Sequence, residues 1–225
     1  MESVFLIPRW FFGIDMALEV VFAIVTLFIA GYAMRIGRFC EKKEPKFFAV
    51  GFLFIGLSYL ARGLINIIVA KDLTENITVL EVREVSSLIH FGVYAYMTLF
   101  AIGIISLVYM TLKTEKISFY PILLITTLLP LFLLKGNVAS YFYIFSTVIL
   151  VYLATHYMVE YKANKNPKTR YSLIAFSLLA LASLVLYFAS LHYVSYVISH
   201  ILELVAYSIL LTNLIKVAKN EQKKK

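Results

Sequence analysis

Ionisable side chains stand inside long apolar runs of this sequence. The most deeply placed are Glu19, Arg62, His90, His200 and Glu203. A charge inside a lipid bilayer costs about 2.5–3.5 kcal/mol on insertion scales, so residues that carry one there tend to be functional. Carboxylates and imidazoles can bind protons or ions, and a guanidinium can balance a carboxylate or hold an anionic group.

Helical spacing predicts that these side chains lie at one depth. With a rise of about 1.5 Å per residue, Arg62 and His90 fall roughly 12 and 9 Å below the outer ends of their helices. His200 and Glu203 share a helix face, and Asn66 lies one turn from Arg62. We predict an outward-facing polar pocket that binds a small ligand, an ion or a proton, for transport or sensing. A layer of ion pairs that only ties the helices together is the competing interpretation. The predicted binding residues are Glu19, Arg62, Asn66, His90, Tyr94, His200 and Glu203.

The same histidines permit other chemistry. His90 and His200 could ligate a metal ion such as zinc together with nearby carboxylates, or serve as the two axial ligands of a haem. Either site would make the chain a membrane enzyme, whereas a non-catalytic membrane subunit or scaffold would need neither. Retinal is not expected, because its Schiff base needs a lysine in the middle of the last helix and Lys216 lies at the end. P-loop, Rossmann, G-x-S-x-G and H-E-x-x-H motifs are absent, which favours a binding protein over an enzyme.

Ser86 and His90 form a Ser-x-x-x-His motif. In this motif the chain partly resembles the membrane hydrolases of the alkaline ceramidase and progestin-receptor superfamily, which implies a zinc hydrolase with seven helices. The chain departs from that family elsewhere, because Tyr196 replaces the first histidine of a later His-x-x-x-His motif and no aspartate lies in mid-span. The resemblance covers one short motif, and we do not assign the chain to this family.

The composition defines the elements that must position these residues. Of the 225 residues, 61% are hydrophobic and 15% are charged, against about 45–50% and about 25% in ordinary soluble domains. A soluble domain of this length cannot cover so much apolar surface. The sequence therefore excludes a soluble enzyme and a nucleic-acid-binding domain, and it makes the lipid bilayer a partner. The single cysteine, Cys40, excludes a disulfide framework.

Seven apolar runs are candidates for membrane-spanning helices, which need about 20 residues each. The runs are roughly 11–34, 47–70, 85–111, 117–134, 138–160, 171–190 and 194–216. The segments after runs one, three, five and seven hold 16 Lys and Arg residues, and the opposite side holds 4. Positive charges accumulate on the cytoplasmic side. We therefore predict an all-α, seven-helix bundle in the cell membrane, with the N-terminus outside and the C-terminus inside.

A weak internal repeat divides this single membrane domain, residues 1–225, into two halves. The matching residues are Pro45-Lys46 with Pro167-Lys168, His90 with His200, and Tyr96 with Tyr207. We predict a parallel arrangement of a first three-helix repeat (11–111), a linker helix (117–134) and a second three-helix repeat (138–216), followed by a basic cytoplasmic tail (217–225). We expect no output domain after the last helix, so a sensor would act through a homo-oligomer or a separate protein partner.

Overall fold

The computed structural model describes residues 11–40, 43–74, 79–112, 119–133, 138–190 and 193–222. Within these ranges the chain forms seven α-helices and no β-strand. A 3-10 turn, Phe188–Ser190, follows the sixth helix. The end of the predicted tail, residues 223–225, lies outside the described residues. The helices are α1 (Phe12–Cys40), α2 (Lys43–Thr74), α3 (Val79–Thr111), α4 (Phe119–Leu133), α5 (Val138–Asn164), α6 (Pro167–Tyr187) and α7 (Tyr193–Gln222).

Six of the helices within the described ranges are long and apolar enough to cross a membrane. Their membrane-spanning windows have mean hydropathies from 1.7 to 2.1. The exception is α4, whose 15 residues extend roughly 22 Å, less than the ~30 Å hydrocarbon core of a bilayer. The prediction of an all-helical, multi-pass membrane fold is confirmed at this level.

The short helix α4 packs along α3 between Tyr94 and Ser106. Near its start, the Tyr120 hydroxyl hydrogen-bonds the Ser106 hydroxyl on the last turns of α3, at 2.8 Å. Near its end, Phe132 stacks on Tyr94 in the first half of α3, with ring centroids 6.1 Å apart. The direction of α4 is therefore antiparallel to that of α3.

The long helices form a closed ring. α1, α2 and α3 pack in chain order, as do α5, α6 and α7, and contacts of α3 with α5 and of α7 with α1 join the two groups. α4 packs mainly against α3. We call the end of the ring at which α1 begins the N-terminal end of the bundle.

The helices of each joining pair run in the same direction. Along α3 and α5, Tyr96 contacts Phe142 and Thr111 donates a hydrogen bond to Tyr152. Along α1 and α7, Asp15 pairs with His200, and further along the rings of Phe22 and Tyr207 lie 5.8 Å apart. The start of α7 is thereby brought beside the start of α1, where the candidate site lies.

α2 and α3 approach closely because a glycine of each helix faces the other. A Cβ on Gly51 would lie 2.9 Å from the carbonyl oxygen of Gly103, so no larger side chain fits without a shift. This close packing brings the side chains of α2 against α3. Tyr59 lies 5.9 Å from Tyr96 between ring centroids, and Arg62 lies above the same tyrosine.

The opposite end of α7 is held by the start of α6. Asn166 caps α6 by accepting a hydrogen bond from the backbone N–H of Lys168 at 3.0 Å, and Pro167 occupies the first turn, where its missing N–H costs nothing. Asn213 of α7 donates from Nδ2 to the Lys168 carbonyl oxygen at 3.0 Å. This contact ties α7 to α6 far from the candidate site.

Candidate functional site

The first part of the site is an ion pair between α1 and α2. Glu19 is fully buried, and its Oε1 lies 2.7 Å from Nε of Arg62. Asn66 donates from Nδ2 to both carboxylate oxygens of Glu19, at 3.0 and 2.8 Å. The Arg62 guanidinium also lies 5.1 Å from the ring centroid of Tyr96 on α3, a cation–π distance. The Glu19 charge is thus paired and hydrogen-bonded inside the bundle.

Tyr196 and His200 of α7 extend this network. The Tyr196 hydroxyl accepts a hydrogen bond from Nη2 of Arg62 at 2.7 Å and donates one to Oδ1 of Asp15 at 2.8 Å. Nε2 of His200 lies 3.1 Å from the same Oδ1. These contacts form one continuous chain of polar side chains, which we call the charged cluster. Its members are Asp15, Glu19, Arg62, Asn66, Tyr196 and His200.

Both ring nitrogens of His200 face oxygen acceptors. Nδ1 lies 2.9 Å from the backbone carbonyl oxygen of Tyr196, and Nε2 faces Asp15. The Ser199 hydroxyl is 3.4 Å from Nδ1, but it donates to the Tyr196 carbonyl at 2.8 Å. A neutral imidazole has one N–H, so one of its nitrogens would meet an acceptor with no proton between them. From these acceptor positions we assign a proton to each contact.

Asp15 has capacity for a further positive partner. Its side chain is fully buried. While Oδ1 accepts from two side chains, Oδ2 has no hydrogen-bond partner among the described residues. An unpaired carboxylate oxygen in a dry interior costs the full penalty of its lost hydration. A second proton or a small cation at this oxygen would remove that penalty.

Glu203 lies one turn beyond His200 and faces a second group of hydroxyls. It is buried and lies beside the Tyr59 hydroxyl, which is 3.1 Å from the hydroxyl of Tyr207. An internal cavity of about 10 Å³ adjoins Glu203. The Ser146 hydroxyl in its wall has no partner among the described residues. A cavity of this size has room for about one water molecule.

The structure brings most of the predicted binding residues together and leaves two apart. His90 is exposed on the surface of α3. Tyr94 is half-buried and stacks on Phe132 of α4. Those that lie in or next to the charged cluster are Glu19, Arg62, Asn66, His200 and Glu203.

A metal or haem site that uses both His90 and His200 finds no support in this arrangement. His200 is buried between α1 and α7, whereas His90 faces away from the bundle. Within the described ranges, no three His, Cys, Asp or Glu side chains are grouped so that they could hold a metal ion. In the Ser-x-x-x-His motif, the side chain of Ser86 lies outside the described residues.

Two members of the charged cluster, Asp15 and Tyr196, are not among the predicted binding residues. From the sequence, Tyr196 is notable only as a departure from a His-x-x-x-His motif. The sequence does contain a signal for both. Asp15 precedes Glu19 by four residues and Tyr196 precedes His200 by four, so each extends the polar face of its helix by one turn.

The fold and the cluster together define a helical, multi-pass membrane protein with a buried network of charges. No protein-family model matches the chain, and no curated protein or solved structure is significantly similar to it. Its function must therefore be argued from the chemistry of the charged cluster.

Proposed function

We propose that this chain is a proton-sensing protein of the cell membrane and that the charged cluster binds the proton. The observation that carries the proposal is the contact of both His200 ring nitrogens with oxygen acceptors. A proton between His200 and Asp15 satisfies two buried groups that otherwise oppose each other. The cluster lies at the N-terminal end of the bundle, which the distribution of Lys and Arg predicts to face outside.

The balance of charges favours further protonation. Asp15, Glu19 and Glu203 bring three carboxylates into this part of the bundle, and Arg62 and His200 bring two cations when His200 is protonated. Three negative and two positive charges leave one negative charge in a medium of low dielectric constant, which is costly. One additional proton makes the group neutral.

The packing of the cluster favours a very small ligand. Asp15 and Glu19 are 0% exposed and His200 is 1% exposed, and the three side chains contact other members of the cluster. An organic ligand would have to displace these contacts, whereas a proton needs no space. The predicted ligand is therefore narrowed from a small molecule, ion or proton to a proton.

The bundle interior on the far side of Tyr59 and Tyr207 from the charged cluster favours sensing over transport. The Thr26 and Ser58 hydroxyls found there donate to carbonyl oxygens of their own helices. Water and polar groups are needed to carry a proton through a membrane interior, and an apolar layer interrupts such a path among the described residues. The fully buried side chains of this layer include Ile29, Phe52, Ile55, Ile104 and Leu107.

Protonation of the charged cluster directly affects how the helices pack against one another. The Asp15–His200 contact joins α1 to α7, and the Glu19–Arg62 contact joins α1 to α2. When the proton leaves His200, Nε2 and Oδ1 of Asp15 become two opposed acceptors, and their contact turns from attractive to repulsive. We therefore expect deprotonation to loosen α7 from α1, which a partner protein or a second copy can detect.

The packing order also supports the predicted parallel repeat with seven spans. In the predicted repeat, the contact of α3 with α5 corresponds to the contact of α7 with α1. Tyr96 and Tyr207, which the repeat pairs, both pack on Tyr59, with centroids 5.9 and 6.0 Å away. This arrangement is what duplication of a three-helix unit around an axis along the membrane normal would produce.

Infrared difference spectroscopy after a pH jump tests the proposal on the full chain in lipid vesicles. We expect a signal for carboxyl and imidazole protonation in the wild type and its loss in Asp15→Asn and in His200→Gln. His90→Gln is the matched control, because it removes an exposed histidine and should keep the signal. An unchanged signal in both cluster variants would overturn the proposal.

A second measurement separates sensing from transport. Vesicles that contain the protein and an internal pH dye are given a pH gradient. The proposal predicts no proton flux above that of protein-free vesicles. A flux that the wild type supports and His200→Gln abolishes would show that the cluster carries protons across the membrane.

A further inference from the structure

A groove on the surface of α1 lies far from the charged cluster. Its volume is about 530 Å³, and the described residues that line it are Gly31, Met34, Arg35 and Arg38. The groove is shallow and open, since its described lining belongs to α1 alone. A Cβ on Gly31 would meet no atom within 4 Å, so the glycine leaves the groove open.

The groove continues an apolar face of α1 that none of the described helices covers. Ile24 and Phe28 are 48% and 58% exposed. At about 100° per residue, positions 24, 28, 31, 35 and 38 fall within about 80° of one another around the helix. The exposed apolar side chains, the glycine and the two arginines therefore form one stripe along α1.

The length of this stripe matches one leaflet of a bilayer. From Ile24 to Arg35 the helix rises roughly 16 Å, at about 1.5 Å per residue. Half of a hydrocarbon core of about 30 Å is about 15 Å. An acyl chain that lies along Ile24 and Phe28 would thus place its headgroup beside the arginines.

Among the described residues, the arginines lack a counter-charge. Both are exposed, and within the described part of the chain neither has an ion-pair partner. The described lining of the groove contains two cations and no anion. A guanidinium binds phosphate oxygens in a two-pronged geometry, and basic pockets beside membrane helices on the cytoplasmic side bind anionic headgroups.

We propose that this groove is a binding site for one anionic phospholipid, with the phosphate held by Arg35 and Arg38 and one acyl chain lying over Gly31, Phe28 and Ile24. The lipid, rather than a free phosphate, is the occupant because the charged end of the groove continues directly into the exposed apolar face. This site is separate from the charged cluster and requires no particular function for it.

Native mass spectrometry of the full chain, released from bilayers with equal amounts of phosphatidylglycerol and phosphatidylcholine, tests the proposal. The wild type should retain one phosphatidylglycerol molecule in preference to phosphatidylcholine. Arg35→Gln with Arg38→Gln should lower that preference roughly 25-fold, about fivefold for each arginine. Arg170→Gln is the matched control, since it removes an exposed arginine from the start of α6 and should leave the preference unchanged.

A second variant distinguishes a shaped groove from a diffuse positive surface. Gly31→Leu keeps both arginines, fills the groove and meets no clash at its Cβ, so the protein should fold and yet lose the retained lipid. Retention of the lipid in Gly31→Leu, or equal loss in Arg170→Gln, would overturn the proposal. So would retention of inorganic phosphate in place of the lipid, or a dimer of the chain that disappears in the double arginine variant.

Discussion

Two pairs of helices close the ring, and they do so with different chemistry. Between α3 and α5, the rings of Tyr96 and Phe100 each pack edge-on against Phe142 at 5.8 Å. Between α1 and α7, Asp15 contacts His200 and Tyr196 through hydrogen bonds. Both pairs of helices run parallel, and both lie in corresponding places of the predicted repeat. The aromatic contact between α3 and α5 is of a kind that suffices to hold two helices together.

The α3–α5 pair indicates that aromatic packing can close such a ring without charges. Apolar side chains of similar volume often replace a buried ion pair without loss of stability, because desolvation of the charges offsets their attraction. The α3–α5 contact is an example of that solution within the same molecule. The proposed proton binding accounts for the charges of the α1–α7 contact, and the predictions below separate the two interfaces.

Removal of Arg62 should have the largest effect. Arg62→Ala leaves the fully buried Glu19 without its cation and should lower the free energy of unfolding by about 3–5 kcal/mol. Reversible unfolding in mixed detergent micelles measures this loss. Adding Glu19→Gln to Arg62→Ala should recover part of it, because the second change removes the unpaired charge. A loss of less than about 1 kcal/mol, the range of an exposed ion pair, would contradict burial of the pair.

Truncation at the aromatic interface should cost nearly as much but leave proton binding intact. Phe142→Ala removes a side chain that is 0% exposed and should destabilise the protein by about 3 kcal/mol through the cavity that it leaves. The infrared protonation signal of the folded variant should equal that of the wild type. If Phe142→Ala abolished the signal, the two interfaces would not be functionally distinct.

Loss of a single hydroxyl in the cluster should have a smaller effect on stability and a clear effect on protonation. Tyr196→Phe keeps the ring but removes the group that links Arg62 to Asp15. We expect a destabilisation of about 1.5 kcal/mol, since both partners are charged, and an altered pH midpoint of the infrared signal. Tyr141→Phe, at an exposed tyrosine of α5, is the control that should change neither. An unaltered midpoint in Tyr196→Phe would remove Tyr196 from the binding site.

The smallest effect is expected at the histidine that the repeat pairs with His200. His90 is exposed, so His90→Ala should change the free energy of unfolding by no more than about 0.5 kcal/mol and leave the protonation signal unchanged. Mixed-micelle unfolding and infrared spectroscopy measure both quantities. A large loss of stability or of the protonation signal would show that the two halves of the predicted repeat share the site.

The number and position of the helices could be predicted from the sequence because long apolar runs and polar breaks between them are strong signals. The grouping of Glu19, Arg62, Asn66 and His200 could be predicted from their depth in the membrane alone. The sequence could not show that the cluster is filled by its own side chains, since that depends on how closely α1, α2 and α7 approach one another.

The position of His90 illustrates why depth in the membrane does not by itself identify the residues of the site. His200 and Tyr207 are seven residues apart, which is about 700° around a helix, so they share a face and both point inward. His90 and Tyr96 are six residues apart, about 600°, so they lie about 120° from each other. Because Tyr96 is buried, His90 must point outward. The one-residue difference between the halves was visible in the sequence, whereas the choice of which residue faces inward required the packing of α2 on α3.

The most direct test of the central claim is the protonation state of the His200 ring. Nitrogen-15 nuclear magnetic resonance of the histidine-labelled protein in lipid bilayers reports this protonation state. The His200 signals are identified by their loss in His200→Gln. We predict that both ring nitrogens carry a proton at neutral pH, and that Asp15→Asn converts the ring to a form with one bare nitrogen. A wild-type ring with one bare nitrogen at neutral pH, unchanged by Asp15→Asn, would contradict the claim that the Asp15–His200 pair holds a proton.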